Sequence, residues 1–363
     1  MSDRAAVLNG AGEPVAIEEI TFDEIGDDEV LVRVAASGVC HTDLHVQASG
    51  GWGLPFPILL GHEGAGVIER AGRSVSSTRV GERVVISWRV PCGACAICLR
   101  GQPVLCLSRR EAAPRMHRAR DGAIFSRVLS TGTFATRTVA HTAQAIRVPD
   151  TIALEKACLI ACGVATGVGA ALNTARVWPG AKVAVIGCGA VGLSVVQGAR
   201  IAGAGRIVAV DLEPRKLEIA RAFGATDVVD ARNGDPVAAA REVIGGSFDV
   251  AFDVVAIAPT VQQAVGMVGY GGIVVIVGVP ANDATVTLPL GRGGLFFKKI
   301  DLRSCSGGDM VPADFFPRLM DWYQAGTLKL DEMVSQEIGL EDIEAAFAAM
   351  RRGDVIRSVV RFP

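Results

Sequence analysis

Lys182-Val183-Ala184-Val185-Ile186-Gly187-Cys188-Gly189-Ala190-Val191-Gly192 is the stretch whose reading decides the fold. Its first five residues are mostly apolar and β-branched, which predicts a buried strand. The glycines that follow have the G-x-G-x-x-G spacing, and the text from Ala190 to Ala202 has helical character. In a strand–turn–helix, Gly187 makes the tight turn. Gly189 lets the backbone approach a pyrophosphate, and Gly192 lets the helix pack against the strand. The helix N-terminus then offers N–H donors to phosphate. Asp211 ends the next apolar run, 19 residues after Gly192. A carboxylate there accepts hydrogen bonds from a ribose and repels a 2′-phosphate, so the expected cofactor is NAD.

The rhythm around this stretch extends the reading. Arg206–Asp211, Asp227–Val229, Phe248–Asp253 and Gly272–Gly278 read as further strands with helical text between them, which predicts a doubly wound parallel sheet. Gly272–Gly278 followed by Ala284–Leu288 is expected to lie at a sheet edge, where two copies could join. The first half reads differently. Ala6–Leu8, Val15–Ile17, Val30–Val34, Gly66–Ile68, Arg83–Ile86 and Thr138–Ala140 are short runs joined by turns, the pattern of a β-rich domain with mostly antiparallel pairing. After Lys299 come a strand (301–304), two helices (about 312–325 and 340–350) and a last strand (355–361). This tail is expected to return and complete the first domain. The divisions are residues 1–163, completed by 307–363, and residues 164–306.

At 363 residues the chain calls for two domains, and 50% apolar with 20% charged residues is a globular balance. A net charge of −2 gives no basic field for nucleic acid. The charge-free run from Val183 to Ala199 carries four glycines and is shorter than the ~20 residues of a membrane span. No apolar run follows a basic start at the N-terminus, so a cytoplasmic, soluble protein is expected.

Nine cysteines, four of them at Cys92, Cys95, Cys98 and Cys106, suit metal ligation in a reducing compartment. Four thiolates within 15 residues close a tetrahedral Zn²⁺ shell, which makes that site structural. A second group has an open shell. Cys40 and His62 supply one sulfur and one nitrogen, and a third donor must come from elsewhere. Cys162 is the candidate, although the residues alone barely separate it from Cys158. Two sulfurs and a nitrogen leave a tetrahedral zinc one position for substrate.

The chain resembles the zinc-dependent medium-chain alcohol dehydrogenases along its full length. The signs are Gly38-Val39-Cys40-His41-Thr42-Asp43, Gly61-His62-Glu63-Gly64-Ala65-Gly66, the cysteine tetrad, Ala157-Cys158-Leu159-Ile160-Ala161-Cys162-Gly163, and the glycine turn with Asp211. The resemblance implies an α/β protein with a GroES-like β-rich catalytic domain and a Rossmann domain, holding one catalytic and one structural zinc per subunit and NAD. It assigns Cys40, His62 and Cys162 to the catalytic zinc, with Glu63 beside it and Asp43 orienting the histidine. Thr42 and His45 match a proton relay. His41 and Arg357 match contacts to the cofactor pyrophosphate. Lys216 matches a position near the ribose, and Thr166 and Val191 match positions beside the nicotinamide. Trp88 matches an aromatic wall of the alcohol pocket. The implied activity interconverts a primary alcohol, aromatic and allylic ones included, with its aldehyde. The implied partners are that small substrate and further copies of the chain, as a homodimer or homotetramer.

Two other readings fit parts of the text. One is a thiol-adduct formaldehyde dehydrogenase of the glutathione or mycothiol type. Arg110 falls close to a carboxylate-holding arginine of that class, but the loop Ser49–Leu54 lacks its acidic residues. The basic run Arg109, Arg110, Arg115, Arg118 and Arg120 would then form an anion-holding rim, where the plainer expectation is a solvated face. The other is a non-catalytic NAD- or zinc-binding sensor, which would be expected to lack a ligand or the relay that this chain keeps.

Overall fold

The computed structural model describes residues 2–363. The chain forms two compact units, one running up to Cys162 and including Val311–Pro363, the other comprising Gly163–Met310.

The first unit is built from two sheets. In one, Met116–Arg118, Ala16–Phe22, Arg4–Leu8, Ile58–Leu59 and Ser126–Arg127 lie side by side in that order. The other is organised on β1 (Glu29–Gly38), buried at nearly every position. The helix α1 (His41–Ala48) follows it at once. β1 pairs antiparallel with β2 (Glu63–Ala71), with Arg137–His141 and with the C-terminal strand Arg357–Arg361. Pairing is mostly antiparallel, because the connections are too short for crossover helices. Two short pairs are parallel, Ile58–Leu59 with Ser126–Arg127 and Val334–Ile338 with Arg357–Arg361. The tail is part of this unit's core. Leu340, Phe347, Met350 and Val360 pack with Leu8, Val34, Leu44 and Phe134, all buried. These sequence-distant residues bury their apolar surface only when the tail has returned.

The second unit is a six-stranded parallel sheet. It begins with α2 (Gly163–Gly169), which precedes the first strand β3 (Lys182–Ile186) and its helix α3 (Ala190–Ile201). The remaining strands are β4 (Arg206–Asp211), β5 (Asp227–Asp230), β6 (Phe248–Asp253), β7 (Val268–Ile276) and β8 (Asp301–Ser304). The order across the sheet is β5-β4-β3-β6-β7-β8. Val183–Val185, Val208, Ala209 and Val250–Phe252 are buried because helices cover both faces. The expected edge is corrected. β7 lies between β6 and β8, β8 is the edge, and Ala284–Leu288 pairs with no described strand of its own chain. Among the described residues no single helix is long and apolar enough to cross a membrane.

A candidate metal centre and a phosphate turn

β1 delivers Cys40 to the N-cap of α1. The third helical residue is Asp43, whose side chain turns back over the cap. Its Oδ2 accepts from the Cys40 N–H at 3.4 Å, and its Oδ1 accepts from the Gly61 N–H at 2.9 Å. Gly61 must be glycine, since its φ is +89° and a Cβ would lie 2.3 Å from the Phe134 nitrogen. That turn feeds His62 into β2 with Nδ1 facing Asp43 Oδ1 at 3.3 Å. Nε2 of His62 is then the nitrogen left for a ligand. It is buried without a hydrogen-bond partner. Cys162 arrives at the end of the single 3₁₀ turn Cys158–Ala161. One donor atom from each of Cys40, His62, Glu63 and Cys162 lies within 4.8 Å of every other. The structure thus takes Cys162 and leaves Cys158 aside, buried with its thiol turned to the Glu155 carbonyl at 3.4 Å.

The charges in this cluster call for a cation. A hydrogen bond from Cys162, assisted against burial by Arg357 and His62, holds the Cys40 thiol well below its usual range. The same bond, with burial, pushes the Cys162 thiol up. Burial opposes a proton on His62, but the charges of Asp43 and Cys40 outweigh it and hold the ring well above its usual range. Burial pushes Glu63 up to about 8, against the pull of Arg357. Protons are thus crowded among donors that a divalent metal would strip of them. Two sulfurs and an imidazole suit zinc. Asp43 is the carboxylate that fixes the histidine tautomer.

Arg357, expected at the cofactor pyrophosphate, is buried beneath this cluster. Its Nη2 donates to Glu63 at 2.8 Å and its Nη1 to the Val39 carbonyl at 3.2 Å. Sequence reading missed this pair; 294 residues separate its members, and no local signal joins them. Thr42 and His45 lie three residues apart on α1, both part-buried, so they share a face. His41 is exposed, its ring 6.2 Å from that of His45.

The tetrad Cys92, Cys95, Cys98 and Cys106 also converges. Its sulfurs stand 3.5 to 3.9 Å apart where pairs make contact. Tetrahedral Zn–S bonds of about 2.3 Å require about 3.8 Å. The backbone N–H groups of Ala94 and Cys95 point at Cys92 Sγ and lower its thiol to about 6, while burial pushes Cys98 up to about 12. The basic run divides here. Arg115 pairs with Glu29, Arg118 with Asp121, and Arg120 with Glu18. Arg110 donates to the Cys92 carbonyl at 2.9 Å, and Arg109 lies 5.7 Å from the centre of the part-buried Trp88 ring. Most of the run therefore serves local ion pairs.

In the second unit, the glycine turn joins β3 to α3 as its spacing requires. A Cβ on Gly192 would lie 1.8 Å from the Gly187 carbonyl oxygen, so only glycine lets helix and turn meet. Gly189 is the N-cap of α3 and has open space where a Cβ would stand. Asp211 Oδ2 accepts from the Cys188 N–H at 2.7 Å, and Oδ1 accepts from the Glu213 N–H at 2.9 Å. The carboxylate is thereby held beside the phosphate turn with lone pairs to spare. Val191 is on α3, Thr166 on α2 and Lys216 on the helix Pro214–Phe223, all part-buried.

Asp43→Asn is expected to weaken zinc retention about 10–100-fold, because the amide no longer holds the His62 tautomer with a charge. Competition with a chelator measures this, and retention equal to the parent chain would contradict the assigned role.

Residues 26–150 match the family model of the alcohol dehydrogenase GroES-like domain, and residues 190–325 match that of zinc-binding dehydrogenases. A geraniol dehydrogenase of Castellaniella defragrans is 36% identical, with 100% of this chain and 98% of that protein aligned. An S-(hydroxymethyl)glutathione dehydrogenase of Paracoccus denitrificans is 33% identical with both chains fully covered. The crystal structure of benzyl alcohol dehydrogenase from Acinetobacter calcoaceticus superposes with a TM-score of 0.92 at 30% identity, covering both chains in full. A buried Cys–His–Cys cluster, a four-cysteine lobe and a dinucleotide-type glycine turn thus coincide with likeness along the whole chain, which belongs to the zinc-dependent medium-chain alcohol dehydrogenase family, NAD-linked oxidoreductases acting on CH–OH groups.

Proposed function

We propose that this chain interconverts a primary allylic or benzylic alcohol with its aldehyde, using NAD and a zinc held by Cys40, His62 and Cys162. The observation that carries the reading is His62. Its Nδ1 is turned to Asp43, and its buried Nε2 is presented to two cysteine sulfurs. When bound, zinc acts as a Lewis acid able to lower the pKa of a bound water from about 15.7 to about 7, on the order of 12 kcal/mol, and NAD accepts the hydride.

The chain's own groups do the rest. The Thr42 hydroxyl would accept the alcohol proton while releasing its own, which His45 passes on toward solvent. Arg357 lies behind the sulfurs, held by Glu63 at 2.8 Å, and its Nη2 also donates to Cys40 Sγ at 3.8 Å, which favours the thiolate there. Gly187, Gly189 and Gly192 let a pyrophosphate reach the N–H groups at the start of α3. His41 is proposed as a further pyrophosphate contact, whereas Arg357 is occupied by Glu63 and the Val39 carbonyl. Asp211 accepts the ribose hydroxyls, with Lys216 near them. Thr166 and Val191 flank the nicotinamide. Trp88 supplies an aromatic surface for an unsaturated substrate.

Support for the substrate class comes from the names of the relatives, a geraniol and a benzyl alcohol dehydrogenase. The S-(hydroxymethyl)glutathione dehydrogenases support the second reading, a thiol-adduct enzyme. Against it, Arg110 already donates to a backbone carbonyl. None of the nine cysteines is joined in a disulfide, which suits a reducing cytoplasm. A second copy of the chain is proposed to cover the exposed Tyr270, Leu290, Phe296, Phe297 and Leu302, which accompany the β8 edge.

With NAD, kcat/KM for geraniol and benzyl alcohol is expected to exceed that for formaldehyde plus glutathione or mycothiol by at least about tenfold. The reverse order would establish the thiol-adduct reading. His45→Gln is expected to slow turnover more at low pH than at high pH, since hydroxide can take the proton directly when it is abundant. A pH-independent loss would remove His45 from the relay. Sedimentation equilibrium is expected to give a dimer or tetramer, with Phe296→Asp shifting it toward monomer. A monomeric parent chain would refute the proposed interface.

A further inference from the structure

In a parallel sheet ordered β5-β4-β3-β6-β7-β8, the strand order reverses between β3 and β6. Ligands of such sheets bind beyond the strand ends at that reversal. The glycine turn forms its β3 side. The segment Val254–Ile257 forms its β6 side, and one fully buried carboxylate governs its shape. Asp253, the last residue of β6, is 0% exposed. Its Oδ1 accepts from the Val255 N–H at 3.0 Å and the Ala256 N–H at 3.1 Å, and its Oδ2 accepts from the Thr260 hydroxyl at 3.0 Å.

The segment is held in an unfavourable shape. Ala256 has φ +61°, a left-handed conformation that a residue with a Cβ seldom adopts. There is no slack around it. A Cβ on Gly187 would lie 2.8 Å from Val255 Cγ2, and a Cβ on Gly278 would lie 2.7 Å from the Val254 oxygen and 2.8 Å from Ala256 Cβ. The result leaves two large apolar side chains outside, Val255 at 43% and Ile257 at 52% exposure. Strained backbone persists where its surroundings over-determine it, and such places cluster at ligand clamps.

We propose that Asp253 is a positioning residue for the dinucleotide, fixing this apolar wall against the first glycine of the phosphate turn. The role rests on the NAD-binding reading of the second unit. Asp253 touches no reacting atom, so it acts on cofactor affinity and leaves the chemical step alone.

The test uses the zinc-loaded enzyme, with NADH titrated by fluorescence and kcat measured at saturating NAD with benzyl alcohol. Asp253→Ala is expected to raise the Kd for NADH about tenfold while kcat stays within about twofold. Asp253→Asn is expected to stay within about twofold of the parent, because its oxygen still accepts both N–H groups and its amide donates to the Thr260 hydroxyl. If Asp253→Ala does not fold, Thr260→Val, which removes the third hydrogen bond, is expected to raise Kd about threefold. An unchanged Kd in Asp253→Ala, a kcat that falls in step with affinity, or an Asn variant as weak as the Ala variant overturns the proposal. If Asp253→Ala is lost, an unchanged Kd in Thr260→Val overturns it instead. A parent enzyme that binds no NADH would sink the underlying NAD reading, a failure distinct from any of these.

Discussion

The carboxylate of Asp43 holds the metal centre together. It is completely buried, and it reaches the Cys40 N–H, the Gly61 N–H and His62 Nδ1. A buried charge is costly unless its lone pairs are taken up. Here the groups that take them up are the backbone of one metal ligand and the ring of another. The helix cap and the glycine turn belong to segments some twenty residues apart in sequence, and this one side chain sets both. Cys162 completes the cluster from a separate turn, itself packed in the core of the same unit.

A second buried pair lies behind the first. Glu63 and Arg357 are 0% and 3% exposed, and removing either breaks the 2.8 Å hydrogen bond between them inside the core. Arg357 opens the last strand, which pairs with the end of β1. The tail therefore supplies core packing to the first unit and a counter-charge to its metal centre. That coupling explains why the chain returns after the second unit instead of ending there.

Much of this was legible in the residues. Strand, glycine turn and helix from Lys182 to Ile201 followed from local spacing, because a phosphate turn is specified within about a dozen residues. The tetrad was legible for the same reason. Cys162 was less so: Cys158 sits four residues earlier in equally apolar text, and only the fold shows which thiol leaves the turn toward His62. The position of Arg357 could not be read, since a buried ion pair across 294 residues leaves no periodicity. The basic run was misleading in the opposite way. Its charges are contiguous in text but find separate carboxylates in space. That Asp301–Ser304 adds one more strand beyond Val268–Ile276 was not legible as an edge, because strand order is set by packing and not by local text.

The central claim is that two sulfurs and one ring nitrogen hold a catalytic zinc, separate from a zinc held by four sulfurs. X-ray absorption at the zinc edge of the purified enzyme tests it most directly. The account predicts two zinc ions per chain and an averaged shell of three sulfurs and one nitrogen or oxygen. A single zinc per chain with four sulfurs, the tetrad alone, would contradict it.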